Sequence, residues 1–126
     1  MAKRNTKKKT LRVAFIGSGG IAGAHMRYLS KMDDVEMVAV ADISKPSMAQ
    51  RQEEFGIEGA FTDYRKMLRD VKPDAVSVCT PNGLHAAASI AASNAGADVL
   101  VEKPMAMTAA EAQKMITAAK TAKRKL

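Results

Sequence analysis

The chain has no tryptophan, only five aromatic residues, one cysteine and four prolines among its 126 residues. A single cysteine excludes a disulfide-stapled scaffold. Because Cys79 sits in the apolar run Ala75 to Thr80, it reads as a buried, reduced thiol in a cytoplasmic protein. Scarce aromatics leave the core to alanine, valine and nine methionines, which suits helices packed closely on a sheet. No stretch approaches the roughly 18 apolar residues of a transmembrane helix, so no membrane partner is expected. Arg12 and four glycines interrupt Leu11 to Ala24, which excludes a signal-peptide core there.

The net charge of +7 lies at the ends. Lys3, Arg4, Lys7, Lys8 and Lys9 lead, and Lys120, Lys123, Arg124 and Lys125 trail, whereas residues 11 to 119 hold 11 basic and 13 acidic side chains. A nucleic-acid site built on a basic body face is therefore not indicated, and the ends read as solvated basic tails. The expected organisation is a tail over 1–10, one folded domain over 11–119 and a second tail over 120–126. A domain of this size can bury an independent core.

Apolar runs alternate with helical spacing. Leu11 to Ile16 predicts a strand, followed by Gly17-Ser18-Gly19-Gly20 and a helix carrying Ile21, His25, Tyr28, Leu29 and Met32. Further strands are expected over Val35 to Ala41, weakly around Gly59 to Phe61, over Ala75 to Thr80 and over Ala97 to Val101. Helices are expected over Lys45 to Phe55, Asp63 to Val71, Leu84 to Ala95 and from Thr108-Ala109-Ala110-Glu111 onward. Such alternation predicts an α/β fold, a doubly wound parallel Rossmann sheet of about five strands in order 3-2-1-4-5 with helices on both faces.

That order puts the loops after the first and fourth strands side by side, where open α/β sheets bind ligands. Gly17, Ser18, Gly19, Gly20, Ile21 and Ala22 fit G-x-G-x-x-G/A between a strand and a helix, a cradle for pyrophosphate at an amide-rich helix start. Asp42 ends the second strand 20 residues beyond Ala22, where a carboxylate accepts ribose hydroxyls. This favours NAD, with NADP left open by the nearby Ser44 and Lys45; a helix cap is the plainer role for Asp42. Thr80, Pro81 and Asn82 turn the chain across the crevice, with His85 three residues on, although Asn82 also suits a helix cap. His25 shares an apolar helical stripe and is expected to be packed or hydrogen-bonded rather than catalytic. Glu102-Lys103-Pro104 closes the fifth strand and aims a cation at the same crevice.

Together these motifs resemble the Gfo/Idh/MocA family, the glucose-fructose oxidoreductase and inositol dehydrogenase group, over residues 11 to about 120. The resemblance implies NAD(P)-dependent oxidoreduction, mostly of sugars and cyclitols. It implies that Gly17, Gly19 and Ala22 cradle pyrophosphate, that Asp42 holds the adenosine ribose, and that Thr80, Pro81, Asn82 and His85 lie along the cofactor. Glu102 would contact a ribose or hold the lysine. Lys103 would face substrate and nicotinamide as the catalytic residue, with a Lys-Pro peptide often cis. Members carry a second α/β domain that supplies substrate contacts, commonly a histidine acid/base, and the oligomer interface. A chain ending at Leu126 lacks it, so a sugar-like substrate is expected only if a second domain or partner is supplied. The expectation is dinucleotide binding without appreciable turnover. The competing expectation is a stand-alone NAD(P)-sensing or protein-interaction module, and a lyase or glycosidase parent is a further variant. No metal site is expected.

Overall fold

The computed structural model describes residues 9–126. The expected N-terminal tail over 1–10 therefore lies almost wholly outside the described residues. Five strands, β1 (Leu11–Ile16), β2 (Val35–Ala41), β3 (Gly59–Phe61), β4 (Ala75–Val78) and β5 (Asp98–Val101), form one parallel sheet in order β3-β2-β1-β4-β5. The helices are α1 (Gly20–Leu29), α2 (Lys45–Phe55), α3 (Tyr64–Val71), α4 (His85–Asn94) and α5 (Ala109–Ala122), with a 3-10 turn over Asn82–Leu84 before α4. Each strand is followed by a helix, as parallel neighbours joined by crossovers require.

β1 lies at the centre and is covered on both faces, so its apolar residues serve two cores. Val13 and Phe15 join Ala22 and Met26 of α1 and Met48 of α2. Ala14 and Ile16 join Met67 and Leu68 of α3 and Ala88 and Ala92 of α4. Alanines on α4 let that helix approach the sheet, which is why the core works with so few aromatics. Removing Met26 or Met67 to alanine, both fully buried, would cost about 2–5 kcal/mol.

The helix boundaries have local causes. Ser44 caps α2 by accepting from the Ser47 N–H, with Pro46 in the first turn, and Gly56 ends it in the left-handed region at φ +69°. Thr108 caps α5 through the Glu111 N–H, and the Glu111 carboxylate reaches back to the Met107 N–H at 3.0 Å. Asn82 does not cap α4: it opens the intervening 3-10 turn, and the N-cap position of α4 is Leu84, with no side-chain cap bond. Residues 120–126, set apart in sequence as a tail, continue α5 to Ala122 and then run beside β5. The Val99 N–H donates to the Lys125 carbonyl at 2.9 Å and the Lys125 N–H to Asp98 Oδ1 at 2.8 Å. Among the described residues no helix is long and apolar enough to cross a membrane.

Candidate functional site

The carboxyl ends of β1, β2 and β4 open into one cavity of about 500 Å³. Gly17, Gly19, Asp42, Thr80, Pro81 and Leu84 are among its lining residues. Gly17 turns the chain out of β1 at φ +105°, and a Cβ there would meet the Cys79 carbonyl oxygen at 2.4 Å. Only glycine fits where the two loops touch. A Cβ on Gly19 or Gly20 would instead meet nothing within 4 Å. The open space lies at the start of α1, whose first helical bond runs from the Gly23 N–H to the Gly19 carbonyl at 3.0 Å. The amides of the preceding turn lack helical acceptors and favour an anion. Ala22 is fully buried against the sheet, as the motif requires, while Ile21 is half exposed.

Ser18 differs from the sequence expectation of a ligand contact. It is 1% exposed and turned inward: its N–H and hydroxyl reach Asp42 Oδ2 at 2.9 and 2.7 Å. Asp42 Oδ1 accepts from the Ser44 N–H at 2.9 Å and keeps acceptor capacity to spare, in a residue that lines the cavity. Burial pushes the Asp42 carboxyl up, but the bonds from Ser44, Ser18 and Ile43 outweigh it and hold the group below its ordinary value.

Two residues of α2 complete the loop and were not found from the sequence. Arg51 donates from Nε to the Ser18 carbonyl at 3.0 Å and from an Nη to the Gly19 carbonyl at 3.1 Å. Its other Nη meets Glu54 Oε2 at 2.9 Å. The Ser47 hydroxyl lies 2.7 Å from Ser18 Oγ and 3.0 Å from the Ser18 carbonyl. The spacing of Ser47 and Arg51, four apart and beside the buried Met48, was the available signal. Gly23 makes room, since a Cβ there would sit 2.6 Å from the Arg51 guanidinium carbon.

On the β4 side, Thr80 lines the cavity, and its buried Oγ1 has no hydrogen-bond partner among the described residues. An unpaired buried hydroxyl is costly unless a ligand satisfies it, so the donor set fits a polar ligand. Pro81 and Asn82 are exposed beside it. His85, expected along the cofactor, is instead 1% exposed. Its Nε2 lies 2.8 Å from the Thr80 carbonyl and its Nδ1 2.7 Å from the Pro104 carbonyl. Both nitrogens sit against backbone carbonyls, a neutral ring donating to one of them, and the ring bridges the Thr80 turn and the Lys103 turn.

Glu102 leaves β5 with its N–H on the Val78 carbonyl at 3.0 Å. Its Oε2 accepts weakly from the Lys103 N–H at 3.3 Å, and its Oε1 meets His25 Nε2 at 3.0 Å. Lys103 is exposed, and its peptide bond to Pro104 is cis. Burial, and the nearby Glu102 charge, push the Cys79 thiol up against a smaller opposing bond from Ser77. Among the described residues no cluster of metal-ligating side chains occurs.

A family model described as an oxidoreductase family with an NAD-binding Rossmann fold, that of Gfo/Idh/MocA, matches residues 11–126. The chain is 44% identical over 112 residues to D-glucoside 3-dehydrogenase of Escherichia coli, covering 87% of this chain and 32% of that protein. It is 31% identical to myo-inositol 2-dehydrogenase of Thermotoga maritima, covering 89% and 34%. The WlbA dehydrogenase of Chromobacterium violaceum, solved with NADH and UDP-GlcNAcA, superposes with a TM-score of 0.88 at 35% identity, covering 94% of this chain and 34% of that one. The chain thus spans about a third of the length of the relatives it matches.

Proposed function

The chain belongs to the Gfo/Idh/MocA oxidoreductase family as its NAD-binding Rossmann domain, and from that premise we propose that it forms the cofactor half of a dehydrogenase acting on a sugar or cyclitol hydroxyl. The observation that carries this is the cavity joining the open glycine turn, Asp42 and Thr80. The α1 amides bind the pyrophosphate, and the free capacity of Asp42 Oδ1 takes an adenosine ribose hydroxyl. A carboxylate there repels a 2′-phosphate, so NAD is preferred to NADP. Thr80 Oγ1 finds its partner on the cofactor, and Glu102 holds the nicotinamide ribose.

When bound, the nicotinamide supplies the hydride acceptor. Lys103 Nζ donates a hydrogen bond to the reacting substrate oxygen, and its charge favours the alkoxide that develops as the hydroxyl proton leaves. That proton needs an acceptor within hydrogen-bond reach. His25 and His85 are both committed elsewhere, so the acid/base group and the substrate contacts come from protein outside these residues. A reduced, buried Cys79 agrees with a cytoplasmic setting.

Calorimetric titration with NAD and NADP tests this reading. Saturable NAD binding, weaker NADP binding and negligible sugar oxidation by these 126 residues alone are expected. Folded protein without NAD affinity overturns it.

A further inference from the structure

His25 belongs to no motif that the cofactor reading uses, yet it is the side chain that fixes Glu102. It stands on the first helix after the glycine loop, 77 residues from its partner. Its Nε2 meets Glu102 Oε1 at 3.0 Å, with the two side chains 19% and 25% exposed. Its Nδ1 lies 2.8 Å from the hydroxyl of Ser77, a residue of the central sheet that is 2% exposed. Ser77 Oγ lies in turn 3.5 Å from Cys79 Sγ.

The chemistry of these atoms orders the chain of bonds. An ionised carboxylate only accepts, so His25 Nε2 donates to Glu102. In the neutral ring Nδ1 is then an acceptor, taken by the Ser77 hydroxyl, whose oxygen faces the Cys79 thiol as a weak donor. The Cys79 Sγ also lies 3.6 Å from His25 Nδ1, a second and weaker donor to the same acceptor. The imidazole is therefore locked by the sheet at one nitrogen and presents a directed donor at the other.

Glu102 needs such a donor. Among the described residues the only other bond to its carboxylate is the long contact from the Lys103 N–H at 3.3 Å. Without His25 the carboxylate is free to swing about its side-chain torsions, losing the pose in which the sheet holds it. We propose that His25 is a positioning residue that acts through Glu102 to set the affinity for the nicotinamide half of NAD. This rests on the cofactor reading given above.

The test compares NAD with ADP, which shares the adenine half and lacks the nicotinamide ribose. In the intact chain, H25A is expected to weaken NAD about tenfold, the worth of one charge-assisted hydrogen bond, and to leave ADP binding unchanged. H25Q, whose amide can donate toward Glu102, is expected to recover much of the loss. In an E102Q background H25A is expected to add little, because the effect passes through that carboxylate. Unchanged NAD binding in H25A, an equal loss for ADP, or a full H25A effect in the E102Q background would each overturn the proposal. Nitrogen-15 shifts of His25 in ligand-free protein give a readout that needs no cofactor. Nε2 is expected to carry a proton, and a ring protonated at Nδ1 alone overturns the bond even if NAD binding itself fails.

Discussion

Ser18 gives both its backbone N–H and its hydroxyl to one oxygen of Asp42, Oδ2, at 2.9 and 2.7 Å. The acid at the end of β2 is thus a tether for the glycine loop as well as a candidate ribose contact. Replacing it disturbs two things that a ribose contact alone would not: the loop and the start of α2, where Ser44 also bonds to it.

The pH dependence of that tether follows from its sign. Hydrogen bonds hold the Asp42 carboxyl below 3.8 despite burial. A lowered folded value means that the stabilisation is present in full above 3.8 and is lost as pH falls through the folded value. The stability gap between wild type and D42N, measured by urea unfolding, is expected to be constant from pH 5 to 8, on the order of 1 kcal/mol. It should shrink in acid, and a gap that grows on acidification contradicts the tether.

Arg51 is expected to matter for cofactor binding although it faces away from the cavity side of the loop. It binds the Ser18 and Gly19 carbonyls and so fixes the orientation of the loop peptides. R51A should weaken NAD by about tenfold, and R51K should recover little because lysine cannot span two carbonyls with a planar fork. G23A offers an independent check, since the new methyl would displace the guanidinium. NAD affinity unaltered in both variants would show that the loop keeps its shape unaided.

G17A should be the most damaging change in the loop. The residue must adopt a positive φ, and its methyl must share space with the Cys79 carbonyl. A loss of about 2–4 kcal/mol in thermal or chemical unfolding is expected. G19A should be mild for stability, because its methyl enters open space, and should act on NAD binding instead. Equal stability losses in the two variants would refute this division.

Cys79 is expected to react slowly with thiol reagents at neutral pH while the protein is folded and readily once it is unfolded. Its thiol is buried and pushed above the usual range by that burial and by Glu102. Thiol titration with and without denaturant reads the difference directly. Fast modification of the folded chain would mean that the β4 end opens.

The sheet order was legible in the sequence because strand–helix alternation and handed crossovers leave few topologies. The placement of Gly17, Asp42, Thr80 and Lys103 at one edge followed from it. What the sequence hid was side-chain direction. Ser18 and His85 occupy motif positions but face inward, and Arg51 and His25 lie outside the motifs but hold them. In each case the deciding partner comes from another element: Asp42 for Ser18, the Thr80 and Pro104 carbonyls for His85, the loop carbonyls for Arg51 and Glu102 for His25. Local periodicity carries no information about such partners.

The strand-like pairing of Val99 with Lys125 bears on how shortened forms of this chain behave. It occupies a backbone donor on the outer strand of the sheet with a segment that carries Lys123, Arg124 and Lys125. A shortened chain stopping at residue 119 would uncover that edge next to the exposed Leu100, and an uncovered apolar edge is a template for strand addition between molecules. Residues 123–126 therefore cover part of the free edge of β5, and a chain cut back to residue 119 is expected to self-associate more readily, which light scattering would read.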